Sequence, residues 1–121
     1  MNMLANLLVA LVAVLHLGFL VLEMFLWTTP FGLKTFGLTR EFAEQSRALA
    51  ANQGLYNGFL AAGLIWGLLA QQNGFAIQVF FLCCVIIAGV FGAATAKTTI
   101  LFIQALPAAV ALALVLASRW A

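Results

Sequence analysis

Glu23 lies in an apolar run, Met3 to Trp27, whose ionisable side chains are His16 and Glu23 alone. A carboxylate near the hydrocarbon core of a bilayer costs about 2.5 kcal/mol or more toward the centre of a helix. It persists there only if it is paired, protonated, hydrated or close to an interface. The chemistry it offers is that of a hydrogen-bond acceptor, a counter-charge for a cation, or a general acid and base. His16 stands seven residues earlier, on the same helical face two turns away.

A second polar group begins at Asn52. Gln53 and Asn57 are spaced i,i+4 and share one face, and Asn52 and Tyr56 share an adjacent one. Amides offer both donors and acceptors, so they can orient a polar ligand. Gln104, Thr95 and Lys97 add polar atoms further along the chain. Each residue also has a plain structural reading. Asn52, Gln53 and Asn57 can be hydrogen-bonding glue between helices. His16 can be a packing histidine, and Lys97 a side chain snorkelling to the interface. Glu23 can lie at headgroup level or pair with Lys97. A single histidine and the adjacent Cys83 and Cys84 make no zinc or haem ligand set, so no metal site is expected and no cofactor is assigned. No glycine-rich phosphate loop and no Ser-His-Asp set is present. No catalytic residue is assigned.

The elements that must position these residues follow from composition. Of 121 residues, 66% are hydrophobic, with five Lys or Arg and three Asp or Glu. A soluble domain of this size needs a polar surface that this chain lacks. The expectation is one all-α transmembrane domain over residues 1–121. The net charge of +2 gives no footing for nucleic acid. The N-terminal run has no basic lead and no cleavage site after it, so it is read as a retained helix.

Four membrane helices are expected, at about residues 4–27, 40–70, 75–96 and 100–117, in an antiparallel four-helix bundle. Pro30 disfavours helix just before it and closes the first. Residues 31–38, with Gly32 and Gly37, are read as a connection. Thr39 is a plausible cap for the second helix, with Glu41 in its first turn. Gln71 to Gly74 and Lys97 to Thr99 form short turns. Pro107 should loosen the carbonyl near Ile103 and kink the fourth helix. Gly54 with Gly58, and Gly63 with Gly67, allow close helix approach.

Lys34, Arg40, Arg47 and Lys97 fall on one side of this topology and Arg119 on the other. The bias favours cytoplasmic first and third turns and both termini outside. Trp27 then marks the cytoplasmic interface, and Trp66 and Trp120 the outer one. Glu23, Asn52, Gln53, Asn57, Thr95, Lys97 and Gln104 then share the cytoplasmic half, which predicts a cytoplasm-facing polar pocket.

Three runs carry a family resemblance: LEMFLWTTPFGLKTFGL (Leu22–Leu38), AANQGLYNGFLAAGL (Ala50–Leu64) and AGVFGAATAKTTILFIQALPA (Ala88–Ala108). On these the chain resembles an uncharacterised bacterial membrane family, domain of unknown function thirteen-oh-four. The resemblance implies a compact four-helix integral membrane protein and brings no activity with it. Glu23, Trp27, Asn52, Gln53, Tyr56, Asn57 and Gln104 lie in the matching runs. With His16 they form the candidate ligand-binding set.

Three functions are compatible with these residues. One is binding or transport of a small solute in the inner membrane of a bacterium, with Glu23 supplying charge and a homo-oligomer enclosing the path. Another is a membrane enzyme acting on a lipid-soluble substrate, with Glu23 as acid and base. The third is an accessory subunit of a membrane complex. The first is favoured because Glu23 has few titratable groups beside it in sequence.

Overall fold

The computed structural model describes residues 2–120, with the side chain of Trp120 outside the description, so the expected interfacial role of Trp120 lies outside the described residues. The described residues are helical, without strands. In chain order the elements are α1 (Met3–Met24), α2 (Pro30–Phe36), α3 (Arg40–Leu69), α4 (Gly74–Thr95), a π-helical turn (Leu101–Ala105) and α5 (Leu106–Trp120). Three stretches are long and apolar enough to cross a membrane: Met3–Met24, Gly74–Thr95 and Leu101–Arg119. At about 1.5 Å per residue, α1 is roughly 33 Å long, close to the thickness of a hydrocarbon core. A bilayer is the environment that suits these helices, which expose Leu7, Leu11, Phe80, Ile87, Phe91 and Phe102.

Four spans were expected. The 30-residue α3 is continuous over the second of them but is not among the three apolar stretches. The reason is local. Charged residues fill its first two turns, and Asn52, Gln53 and Asn57 follow within the next three.

The backbone contacts fall into two units. One comprises the chain up to Val14 and from Leu60 onward, and the other Leu15–Phe59.

In the first unit, Ala5, Val9, Val12 and Ala13 of α1 form a core with Leu64 of α3, Leu82 and Val85 of α4, and Ala108, Ala111 and Val115 of α5. The three- and four-residue spacings place each set on one helical face. Most of these side chains are small, so the backbones come close. A Cβ on Gly89 would stand 2.7 Å from the Ala105 nitrogen, so only glycine fits there. At the α3–α4 turn the Gln78 Nε2 donates to the Gly67 carbonyl at 3.1 Å, in a buried position. This bond satisfies a polar side chain that would otherwise be costly inside an apolar core. Arg119 lays its guanidinium over the Phe75 ring, 4.6 Å from the centroid.

The π turn lies just before Pro107. The Leu106 N–H reaches back five residues to the Leu101 carbonyl. Pro107 has no N–H to continue the ladder. The expected disturbance near Ile103 is therefore a widened turn, which carries Gln104.

In the second unit α1 ends at Met24, three residues before the Trp27 expected from sequence. The Phe25 and Leu26 N–H groups both go to the Val21 carbonyl, which closes the helix. Residues read as a plain connection form α2. Thr29 caps it, accepting from the Gly32 N–H at 3.2 Å and donating to the Leu26 carbonyl at 2.7 Å. Pro30 opens this helix at its first position, and Gly37, at φ 65°, closes it in the left-handed conformation. Threonine, proline and glycine at these positions are the start and stop signals of a helix. Gly32 is buried, and a Cβ there would collide with the Leu26 carbonyl. Thr39 caps α3 as expected, accepting from the Phe42 N–H at 3.1 Å.

Candidate functional site

Within the second unit, α3 turns Ala43, Ala50, Gly54 and Asn57 inward on one face. Their spacings of seven, four and three residues make that face continuous. A Cβ on Gly54 would meet the Glu23 Cβ at 3.1 Å and the Leu20 carbonyl at 3.2 Å. One turn along, a Cβ on Gly58 would meet the Leu20 Cδ1 at 2.7 Å. The missing side chains let α3 pack directly on the last two turns of α1.

That approach sets the polar contact. The Asn57 Nδ2 donates to the Glu23 Oε1 at 2.6 Å. Asn57 is buried and Glu23 is half-buried. The bond gives a half-buried carboxyl group a donor, without which its burial would be costly. It occupies one carboxylate oxygen and leaves acceptor capacity on the group. Because α1 stops at Met24, Glu23 sits in the final turn, at the negative end of the helix dipole.

Toward the α1–α2 junction a second polar contact ties the same two segments. The Trp27 Nε1 donates to the Ser46 Oγ at 3.0 Å, and Ser46 donates to the Phe42 carbonyl at 2.7 Å. The Trp27 ring packs on Phe36 of α2, centroids 4.9 Å apart. Ser46 was not singled out from sequence. The available signal was its spacing of four and seven residues from Ala50 and Gln53, which places it near the Asn57 face.

The other expected residues divide. Asn52, Gln53 and Tyr56 are exposed on α3. Gln53 flanks the Asn57 face, while Asn52 and Tyr56 point away from it, because an α-helix turns about 100° per residue. His16 is buried, with its ring edge-on to Phe19 at 5.1 Å. Gln104 is half-buried in the π turn of the first unit. In that unit Thr95 returns its hydroxyl to the Phe91 carbonyl, and Lys97 is exposed. Among the described residues no group of three or more His, Cys, Asp or Glu side chains is placed to hold a metal ion.

The family described as "protein of unknown function (DUF1304)" matches residues 10–116. The chain belongs to this family. The match takes in both ends of the Glu23–Asn57 contact and the Trp27–Ser46 contact. A similar protein is the uncharacterized protein YpaA of Lactococcus lactis subsp. lactis (strain IL1403). It is 29% identical over 106 residues, covering 86% of this chain and 89% of YpaA. No solved structure matches the chain.

Proposed function

We propose that this member of the family is a multi-pass protein of the bacterial inner membrane that binds or carries a small solute at Glu23 and Asn57. The Asn57–Glu23 hydrogen bond carries this reading. It joins a carboxylate near the end of an apolar helix to a buried amide, and a carboxylate in such a helix is a functional position by default. In this reading α3 is a fourth spanning segment. Its charged first turns lie at the cytoplasmic surface, and of its amides Asn57 faces α1. The four helices form an antiparallel bundle with both termini outside, supported by the placement of Lys34, Arg40, Arg47 and Lys97 against Arg119. The polar site opens to the cytoplasm, Gln53 and Trp27 flank it, and a homo-oligomer completes the wall that four short helices leave thin.

Native mass spectrometry of the detergent-purified protein tests the reading. A small molecule that accompanies wild type and is lost in Glu23→Gln is the expected result. A retained quinone or phospholipid would replace this reading with an enzyme acting on a lipid-soluble substrate. Stable association with a larger complex would replace it with an accessory subunit.

A further inference from the structure

We infer that the outer face of α3 is an interface between two copies of this chain, paired in parallel about a two-fold axis with Asn52 against Asn52. The inference deepens the reading above by naming where the homo-oligomer forms. It rests on that reading for α3 as a spanning segment.

Spacing and exposure define the face. Gln45, Ala48, Asn52, Leu55 and Phe59 recur at alternating intervals of three and four residues, and all five are exposed. That repeat is the seam along which two helices pack knobs into holes. It runs down the side of α3 opposite Ala43, Ala50 and Asn57, which are buried. A second helix can therefore dock without disturbing the inward packing.

The polar residues on the seam fit a second copy. Gln45 and Asn52 stand seven residues apart, at equivalent positions of the repeat. Two copies inserted with the same orientation place these positions opposite their own counterparts across the axis. An amide carries both a donor and an acceptor, so it is its own complement. One symmetric contact satisfies both copies at once.

Depth makes that contact necessary. Arg47 is the last charged residue of α3, and Asn52 lies about 7.5 Å farther along the helix axis. With Arg47 at the cytoplasmic surface, Asn52 stands within the hydrocarbon layer, where lipid offers it neither donor nor acceptor. Asn52 is exposed, so its own chain does not cover the amide. Ala48, one turn before it, carries only a methyl group, which lets two backbones come close enough for short side chains to meet. Leu55 and Phe59 continue the contact with apolar surface. Glu41 follows the same spacing toward the cytoplasm and would oppose its own copy. The helices diverge at that end, where water and salt screen like charges.

Disulfide trapping in native membranes tests the face. In a background with Cys83 and Cys84 replaced by alanine, Ala48→Cys and Leu55→Cys should each give covalent dimers on mild oxidation. Gln53→Cys, at a similar depth but turned about 100° from Asn52, should not. Equal dimer yields from Gln53→Cys and the seam positions overturn the inference, and so does no dimer from either seam position. Fluorescence energy transfer between labelled copies in liposomes tests the amide. Asn52→Leu should weaken dimerisation by about tenfold, the loss of interhelical hydrogen bonding, and Asn52→Gln should restore much of it. Undiminished dimerisation in Asn52→Leu overturns the inference. The trapping needs no change at Asn52, so it decides even if Asn52→Leu does not fold. Rapid reaction of Asn52→Cys with an impermeant maleimide in inside-out vesicles would place the residue in water and overturn the interface together with the spanning α3. A monomeric wild type whose bound solute is still lost in Glu23→Gln overturns the interface alone. A trapped dimer that carries no solute supports the interface and removes the solute-binding reading.

Discussion

Asn57 reaches Glu23 across 34 residues of chain, its Nδ2 standing 2.6 Å from the Glu23 Oε1. Two glycines beside Asn57 on α3 make the approach possible. Gly54 rests on the backbone of α1 at Leu20, and Gly58 on the Leu20 side chain. The small residues and the polar pair therefore form one local arrangement, and substitutions in either should be felt by the other.

Glycine substitutions should rank by what the new Cβ meets. Gly54→Ala presses on the Glu23 Cβ and the Leu20 carbonyl, and Gly58→Ala on the movable end of Leu20. Overpacking of this kind costs about 1–3 kcal/mol. Gly54→Ala should lower the Tm in detergent most, Gly58→Ala less, and Gly18→Ala not at all, since nothing lies within 4 Å of a Cβ there. Leucine at 54 or 58 should be worse than alanine. Gly74→Ala, harmless if Gly74 were only a turn residue, should also destabilise, because its Cβ would stand 2.8 Å from the Gly67 carbonyl. Equal Tm values for Gly54→Leu and wild type would remove α3 from its place against α1.

Glu23→Gln and Asn57→Leu should separate binding from stability. Glu23→Gln keeps an oxygen that can accept from Asn57, so the fold should survive while solute binding is lost. Asn57→Leu removes the donor and leaves a half-buried carboxylate without its partner. Unsatisfied groups of this kind cost about 1–3 kcal/mol, so this variant should lose binding and also melt earlier. Thermal unfolding followed by circular dichroism, with binding measured on the same preparations, checks both.

The Trp27–Ser46 bond should show coupling in a double-mutant cycle. Trp27→Phe and Ser46→Ala each remove the 3.0 Å contact. Their combined loss should fall short of the sum by about 0.5–1.5 kcal/mol, the net value of one hydrogen bond. Strict additivity in chemical unfolding would mean that the contact adds nothing to stability.

Orientation is open to direct labelling. In a background with Cys83 and Cys84 replaced by alanine, Thr35→Cys on exposed α2 should resist a membrane-impermeant maleimide in intact cells. It should react in inside-out vesicles. Labelling in intact cells would place α2, and with it the Glu23 end of α1, on the outer face.

Length and composition by themselves determined that this is an all-helical membrane protein. An apolar run of about 18 or more residues has few fates, and the runs that became α1, α4 and the π turn with α5 are of that kind. The Thr39 cap, the polar turn before Gly74 and the disturbance at Pro107 were also legible, because each depends on one residue's own backbone chemistry. Helix α2 had its signals in Thr29, Pro30 and Gly37, but a seven-residue helix is too short for hydrophobic periodicity to mark it. The early end of α1 could not be read, since Phe25 to Trp27 are as apolar as what precedes them and the stop lies in how their N–H groups share the Val21 carbonyl. The candidate site shows the same division. Sequence spacing singled out Glu23 and grouped Gln53 with Asn57. Only tertiary structure decided which amide meets the carboxylate, because that depends on the rotation of α3 about its axis. Gly54 and Gly58 set this rotation by admitting α1 on their side, which turns Asn57 toward Glu23 and leaves Asn52 and Tyr56 exposed.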